Sequence, residues 1–297
     1  MSEAFFTDKA RVRASFNRAA ASYDGAAVLQ REVAGRMAER LDYIKLAPQV
    51  ILDAGSGTGE GTALLRRRYP QARVIELDLA PAMLAASRAK QARAAGWMDR
   101  WLGRGRPWQV CADIERLPLA TASVDMIWSN LAIQWVNVPD GVFAEFRRVL
   151  KPEGMLLFST LGPDTLQELR QAFAGLDGAT HVNRFIDMHD LGDAMLAGGL
   201  GEPVMDMEKI VLTYDQVRDV MRDLKAIGAH NATAGRGRGL MGKQAWHRVE
   251  AAYEAWRRDG RLPATYEVVY GHAWRGQDKK SAMLPDGRQV IEFVKKG

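Results

Sequence analysis

One cysteine, Cys111, stands among 297 residues, so the chain forms no disulfide within itself. A lone thiol suits a reducing compartment. The five histidines (181, 189, 230, 247 and 272) are scattered, and with so few cysteines no zinc-ligand spacing is present. No metal is therefore expected. Long apolar runs are missing as well. No stretch approaches the roughly 20 residues that cross a bilayer, and the opening MSEAFFTDKARVR lacks the apolar centre of a secretory signal. These absences point to a cytoplasmic protein with no membrane partner. Excess charge of one sign is also slight: 41 basic against 36 acidic residues leave a net +5. A nucleic-acid partner is not expected, because no basic stripe interleaved with aromatics runs through the chain. Internal repeats and low-complexity tracts are absent, which excludes solenoids and linker-like proteins.

The composition, 47% hydrophobic and 26% charged, is that of an ordinary globular enzyme. Residues 8–43 read as helical, with Val28, Leu29, Val33, Met37 and Leu41 at helical spacing. From there the pattern changes. Short strands are expected at Val50–Ala54, Arg73–Asp78, Trp108–Ala112, Val124–Ser129 and Met155–Thr160, separated by helices at 59–68, 81–95 and 139–150. Strand and helix alternating at this length imply βαβ crossovers and a parallel sheet. Farther on, helices are expected at 163–175, 188–198, 214–228 and 242–258. A strand near 204–212 and a strong one over 265–274 complete the sheet. The glycine-rich stretch 229–241 reads as a mobile loop.

The chemistry begins at the first strand–helix turn, Asp53-Ala54-Gly55-Ser56-Gly57-Thr58-Gly59. Glycines at alternate positions let the backbone turn sharply and approach a ligand closely. The helix that follows offers free N–H groups and a positive dipole end, which suit an anion. The dinucleotide pattern G-x-G-x-x-G fails here, because its third glycine would fall on Glu60 or Thr62. The phosphate-loop pattern also fails, for want of a following Lys-Ser or Lys-Thr. About 20 residues on, the second strand ends in Asp78, with Leu79 beside it, where an acid accepts hydrogen bonds from ribose hydroxyls. Asp78 is preferred to Glu76 because the strand's carboxyl end reaches the crevice, although a strand-end Asp also caps helices. Met83 can lie against a purine ring or simply fill core. Asp113 and Ile114 follow the third strand, at the carboxyl end beside the same crevice. Asn130 leaves the fourth strand beside the same crevice and either touches ligand or caps a turn.

This order of motifs over 48–160, with Leu150-Lys151-Pro152-Glu153-Gly154 in place of an LKPGG-type segment, resembles the class I methyltransferases. The resemblance implies S-adenosylmethionine as cofactor, held by Asp53, Gly55, Gly57, Gly59, Asp78, Leu79, Met83, Asp113, Ile114 and Asn130. It also implies an α/β, Rossmann-like, seven-stranded sheet, mostly parallel with an antiparallel last strand. Further segments narrow the resemblance. The start FNRAAASYD (16–24), SNLAIQW (129–135), FSTLGPDTLQEL (158–169), NRF (183–185) and LKAIGAHN (224–231) look like the malonyl-acyl-carrier-protein O-methyltransferases of biotin synthesis. This likeness runs from about residue 9 to 275.

The family implies methylation of the free carboxylate of a malonyl group carried on acyl carrier protein, its protein partner. A carboxylate is already ionised near pH 7, so alignment rather than a general base carries the reaction. Arg184 is the expected carboxylate clamp, because a guanidinium fits a carboxylate in two-point fashion; an ion pair with Asp187 or Asp190 is the plainer reading. Tyr23 is expected to close over the cofactor. Lys225, Arg236 and Arg238 belong to a basic run between Arg222 and Arg248 and are expected to meet the acidic carrier. Residues 8–43 and an insertion at about 213–262 are expected to form a helical lid over a core of 44–212, with 263–275 as the last strand of one domain and 276–297 as a tail. Two other readings stay open: an arginine hydroxylase-like assembly factor on the same scaffold, and a methyltransferase for a free small carboxylic acid.

Overall fold

The computed structural model describes residues 6–94, 108–176, 179–229, 231–233 and 242–277. Three helices open the chain, α1 (Lys9–Ala19), α2 (Tyr23–Ala26) and α3 (Val28–Arg40). The expected helical stretch 8–43 is thus broken on either side of α2 and ends in a short 3-10 turn, Leu41–Tyr43. Strand and helix then alternate: β1 (Val50–Ala54), α4 (Glu60–Arg68), β2 (Arg73–Asp78), α5 (Pro81–Ala94), β3 (Trp108–Cys111), β4 (Val124–Asn130), α6 (Pro139–Val149) and β5 (Leu150–Leu161). The rest comprises α7 (Gln167–Phe173), α8 (Met188–Ala197), β6 (Gly201–Tyr214), α9 (Val217–Ala226), α10 (Lys243–Glu254) and β7 (Leu262–Trp274).

The seven strands form one sheet in the order β3-β2-β1-β4-β5-β7-β6. All neighbours from β3 to β5 run parallel, and β7 runs antiparallel to both β5 and β6. The fold is therefore the mostly parallel seven-stranded α/β sheet with an antiparallel last strand. Strand order reverses between β1 and β4, and ligands in such sheets bind in the crevice beyond that reversal. Central strands are apolar on both faces because helices cover both. On one side α6 lays Val142, Phe143, Phe146 and Val149 against the sheet at helical spacing, with Pro139 in its first turn, where no N–H is needed. A second cluster on the opposite face joins α3, α7, α9 and α10 to the sheet through Val33, Met37, Leu169, Val220 and Tyr253.

Two elements depart from their expected limits for local reasons. β5 starts at Leu150 rather than Met155, because its first residues pair with β4 through a bulge between Val124 and Met126. Within that bulge Glu153 takes φ +65°, a conformation that favours glycine. α7 starts at Gln167 rather than 163, because Leu166 ahead of it also sits in the left-handed region, at φ +54°.

The N-terminal helices and the segment between β6 and β7 meet above the carboxyl ends of the strands. Asn17 accepts from the Ala82 N–H (3.1 Å) and ties α1 to α5. The Ser22 hydroxyl donates to the Ala226 carbonyl (2.9 Å), joining α2 to α9. The Asp8 N–H donates to the Ala232 carbonyl (3.0 Å). Most of the glycine-rich loop, including Arg236 and Arg238, and the chain beyond Gln277 lie outside the described residues. Among the described residues no helix is long and apolar enough to cross a membrane.

Candidate active site

Beyond β1 the chain turns on Gly55, Gly57 and Gly59, all at positive φ. Two of these positions leave no room for a side chain. A Cβ on Gly55 would lie 2.4 Å from the Ala132 Cβ, and one on Gly59 would lie 2.2 Å from the Ser87 hydroxyl. The loop is held from the next strand: the Gly55 and Ser56 N–H groups donate to the Leu77 carbonyl at 2.8 and 3.0 Å. Asp78 then accepts from the Gly57 N–H (2.9 Å) and the Ala80 N–H (2.8 Å). Burial pushes the Asp78 carboxyl up to about 6 against the opposing pull of those two N–H groups. Asp53, buried beneath the loop, accepts from the Thr62 hydroxyl at 2.6 Å; burial drives its carboxyl up to about 7, with the Glu76 and Asp78 charges adding to the effect. Glu76 is fully buried and occupied by Ser87 (2.9 Å), Gln109 (2.6 Å) and Gln91. Asp78, as preferred from the sequence, is the β2 acid that faces the crevice.

Two cavities lie against this loop. One, of about 80 Å³, is a mainly apolar slot bordered by Asp78, Leu79, Met83, Asp113, Ile114 and Asn130. Asp113 here accepts from Lys9 (3.0 Å) and from the Glu115 N–H (3.0 Å), so α1 is pinned across the slot's edge. The other cavity, of about 40 Å³, is polar and borders Asp53, the glycine loop and α3. On its wall Gln30 Oε1, Ser56 Oγ and Trp128 Nε1 are buried with no hydrogen-bond partner among the described residues. Orphaned buried polar atoms are costly unless a ligand meets them. An acceptor, a hydroxyl, an indole donor and a carboxylate form a set that fits the ammonium and carboxylate of an amino acid. The mainly apolar slot next to it, with Asp78 and Asp113 as acceptors on its border, suits a nucleoside. Together they match the two halves of S-adenosylmethionine.

A third cavity of about 190 Å³ opens from the same point and is walled mainly by apolar side chains, among them Leu29, Leu166, Leu169, Phe185, Leu224 and Tyr266. Phe16, Tyr23, Leu131 and Trp135 border both this cavity and the nucleoside slot, and Phe16 meets Trp135 edge to face at 5.5 Å. Tyr23 borders all three cavities. Burial, with Asp78 and Asp24 nearby, holds its phenol well above its ordinary value, so it stays protonated and acts as a donor. Leu131 reaches this junction by adopting φ +49°. Left-handed backbone in a leucine costs about 1–2 kcal/mol and is retained where the surroundings dictate it. Asn130 positions the turn: it accepts from Ser159 (2.8 Å) and donates to the Gln30 carbonyl (3.0 Å).

The structure separates Arg184, the expected carboxylate clamp, from Lys225, which was expected to meet the carrier protein. Arg184 is exposed on a larger outer cleft of about 840 Å³, whereas Asn183 and Phe185 on either side of it border both that cleft and the inner cavity. Lys225 borders the inner cavity. Arg236 and Arg238 fall outside the described residues. Sequence reasoning missed Lys9 and Gln30, and quoted the segments holding Phe16 and Trp135 without giving either residue a task. It noted the segments holding Asn183 and Asn231 without assigning them a task. In the structure Asn183 accepts from the Ala232 N–H (3.3 Å) and Asn231 donates to the Thr180 carbonyl, stitching the two segments together over the cavity.

Comparison with known proteins agrees with this geometry. The family described as "Methyltransferase domain" matches residues 52–158. The chain is 69% identical to the malonyl-acyl-carrier-protein O-methyltransferase of Laribacter hongkongensis, over 99% of this chain and 98% of that protein. It is 60% identical to the protein of the same description from Gallionella capsiferriformans, over 97% of each. Among solved structures, the YcgJ protein from Bacillus subtilis matches with a TM-score of 0.55 at 14% identity, covering 83% of this chain and 99% of that one. That last likeness is one of fold.

Proposed function

The chain belongs to the malonyl-acyl-carrier-protein O-methyltransferase family, and from that premise we propose how its site serves a methyl transfer. The reaction is O-methylation of the free carboxylate of a malonyl thioester on acyl carrier protein, with S-adenosylmethionine as methyl donor. The observation that carries this reading is the convergence of three cavities on Tyr23. A nucleoside slot and an amino-acid pocket hold the two ends of a sulfonium cofactor, and the apolar third cavity receives the acyl group.

Asp78 and Asp113 would accept from the ribose and adenine of the cofactor, with Leu79, Met83 and Ile114 lining the slot. Asp53, Gln30, Ser56 and Trp128 would hold its amino-acid end. The cofactor supplies a methyl group made electrophilic by the positive sulfur. The protein has no proton to remove, because a malonyl carboxylate is ionised near pH 7. Its work is to align oxygen, carbon and sulfur and to exclude water. Phe16, Leu131 and Trp135 form the dry wall around the junction, and the protonated Tyr23 donates a hydrogen bond there without competing as a nucleophile. Arg184, on the outer cleft, is placed to meet an anionic group of the incoming carrier arm, the arm's phosphodiester included. The exposed free Cys111 suits the reducing cytoplasm, where we place the reaction.

The test follows methyl label from S-adenosylmethionine into the carrier protein. Malonyl carrier should acquire label, and acetyl carrier, which has no free carboxylate, should not. Label on both, or on neither with a protein that binds S-adenosylhomocysteine, would overturn the assignment.

A further inference from the structure

A carboxylate entering the inner cavity leaves water for a mostly apolar enclosure, which is unfavourable unless a cation meets it. Lys225 is the sole lysine or arginine that borders this cavity among the described residues. It lies in the last turn of α9, one residue before Ala226, whose carbonyl is bound by Ser22 next to Tyr23. Lys225 makes no ion pair with any described residue, although its neighbour Arg222 is held by Asp219 at 2.9 Å. Of the cavity's side-chain amides, Gln134 and Asn231 are occupied, whereas Gln30 borders both this cavity and the amino-acid pocket and keeps its Oε1 without a partner among the described residues. Gln134 donates to the Leu131 carbonyl at 2.7 Å and accepts from Thr160 at 3.4 Å. Asn231 donates to the Thr180 carbonyl and accepts from the Thr233 N–H (3.0 Å) and hydroxyl (2.7 Å). Lys225, exposed on the cavity's border, and the protonated Tyr23 phenol are thus two donors at the edge of the space beside the cofactor slot.

On the proposed-function reading above, we propose that Lys225 holds the free carboxylate of the acyl group inside the cavity, with Tyr23 as the second donor. The residue stands on an exposed helix face, where a basic side chain would ordinarily be assigned to docking an acidic carrier. Its border on the cavity gives it a different task. The ammonium selects acyl groups that end in a carboxylate, and α9 brings it over the site when the lid is in place. Because Ser22 ties α9 to α2, the position of Lys225 is coupled to that of Tyr23. The carboxylate therefore meets both donors in one geometry.

Docking and carboxylate recognition are separated by acetyl carrier, which presents the same carrier and arm with no free carboxylate. Lys225→Met keeps the apolar stem and removes the charge, and Lys225→Arg keeps the charge. For Lys225→Met we expect kcat/KM on malonyl carrier to fall roughly 10- to 100-fold, the range for losing a hydrogen bond to a charged group. Inhibition by acetyl carrier and affinity for S-adenosylhomocysteine should stay within about twofold, differences worth less than 0.5 kcal/mol. Lys225→Arg should recover most of the loss. Weakening of acetyl-carrier inhibition in parallel with the lost turnover would overturn the proposal in favour of docking. Undiminished turnover would overturn it outright. Wild-type protein that fails to methylate malonyl carrier would instead indict the functional reading on which the proposal rests.

Discussion

The cofactor side of the crevice and the acyl side are built in different ways. The cofactor side comes chiefly from one continuous run, Asp53 to Asn130, in which strands of the parallel sheet bring the proposed cofactor-binding residues to their carboxyl ends. The acyl side is assembled from α1, the β4 and β5 turns, the 181–185 segment and α9, joined by single hydrogen bonds such as Asn183 to the Ala232 N–H. A local site is held by backbone geometry. A composite site is held by packing and by a few side chains that bridge distant segments. The first tolerates little change of shape and the second can open, as a site that admits a carrier-bound acyl group must.

If that contrast is right, the largest effect belongs to the glycine loop. Gly59→Val adds atoms where even a Cβ lies 2.2 Å from the Ser87 hydroxyl, at a φ of +86°. Calorimetry should find S-adenosylhomocysteine binding weakened by more than about 100-fold, the scale of several lost kcal/mol of strain and contact. Near-normal affinity would mean that the loop is less rigid than its geometry indicates. Asp78→Ala comes next. Removing the acceptor of the Gly57 and Ala80 N–H groups, which also faces the ribose position, should lower cofactor affinity roughly 10- to 100-fold. An unchanged affinity would reduce Asp78 to a cap.

The pH dependence of stability sharpens the comparison further. Asp53 has its carboxyl raised from the ordinary carboxylate value to about 7 by burial. A raised carboxylate contributes a penalty that sets in above the unfolded value and is complete once the pH passes about 7. Between pH 5 and pH 8 the wild type should therefore lose stability relative to Asp53→Asn, on the order of 2–3 kcal/mol in denaturant unfolding of the cofactor-free protein. A shift in the opposite direction would show that the charged form is stabilised in the fold. Smallest is a change remote from both sides. Glu153, exposed at φ +65°, should stabilise the protein by about 1 kcal/mol when replaced by glycine, with cofactor affinity unaltered. A loss of stability would show that the Gln277 contact at 2.9 Å outweighs the backbone strain.

How far the sequence could be read follows the same division. β1 and β2 fell at their expected limits, Val50–Ala54 and Arg73–Asp78, because a buried parallel strand between turn residues is a local signal. That the glycine loop, Asp78 and Asp113 border the crevice was legible for the same reason. The acyl side was not, since Lys9 against Asp113 and Asn183 against Ala232 are tertiary pairings between distant segments. Which way Arg184 and Lys225 turn depends on those pairings, and no periodicity encodes it. Leu131 and Leu166 adopt left-handed backbone with no glycine to announce it, and only Glu153 betrayed itself, by standing where an LKPGG-type segment has glycine.

The most direct test of this account is a crystal structure with S-adenosylhomocysteine and malonyl-pantetheine bound together. The nucleoside should lie beside Asp78 and Asp113, the sulfur at the junction bordered by Phe16, Tyr23, Leu131 and Trp135, and the malonyl carboxylate in the inner cavity next to Lys225. A carboxylate seated against Arg184 in the outer cleft, with the inner cavity left to the pantetheine arm or to water, would contradict it.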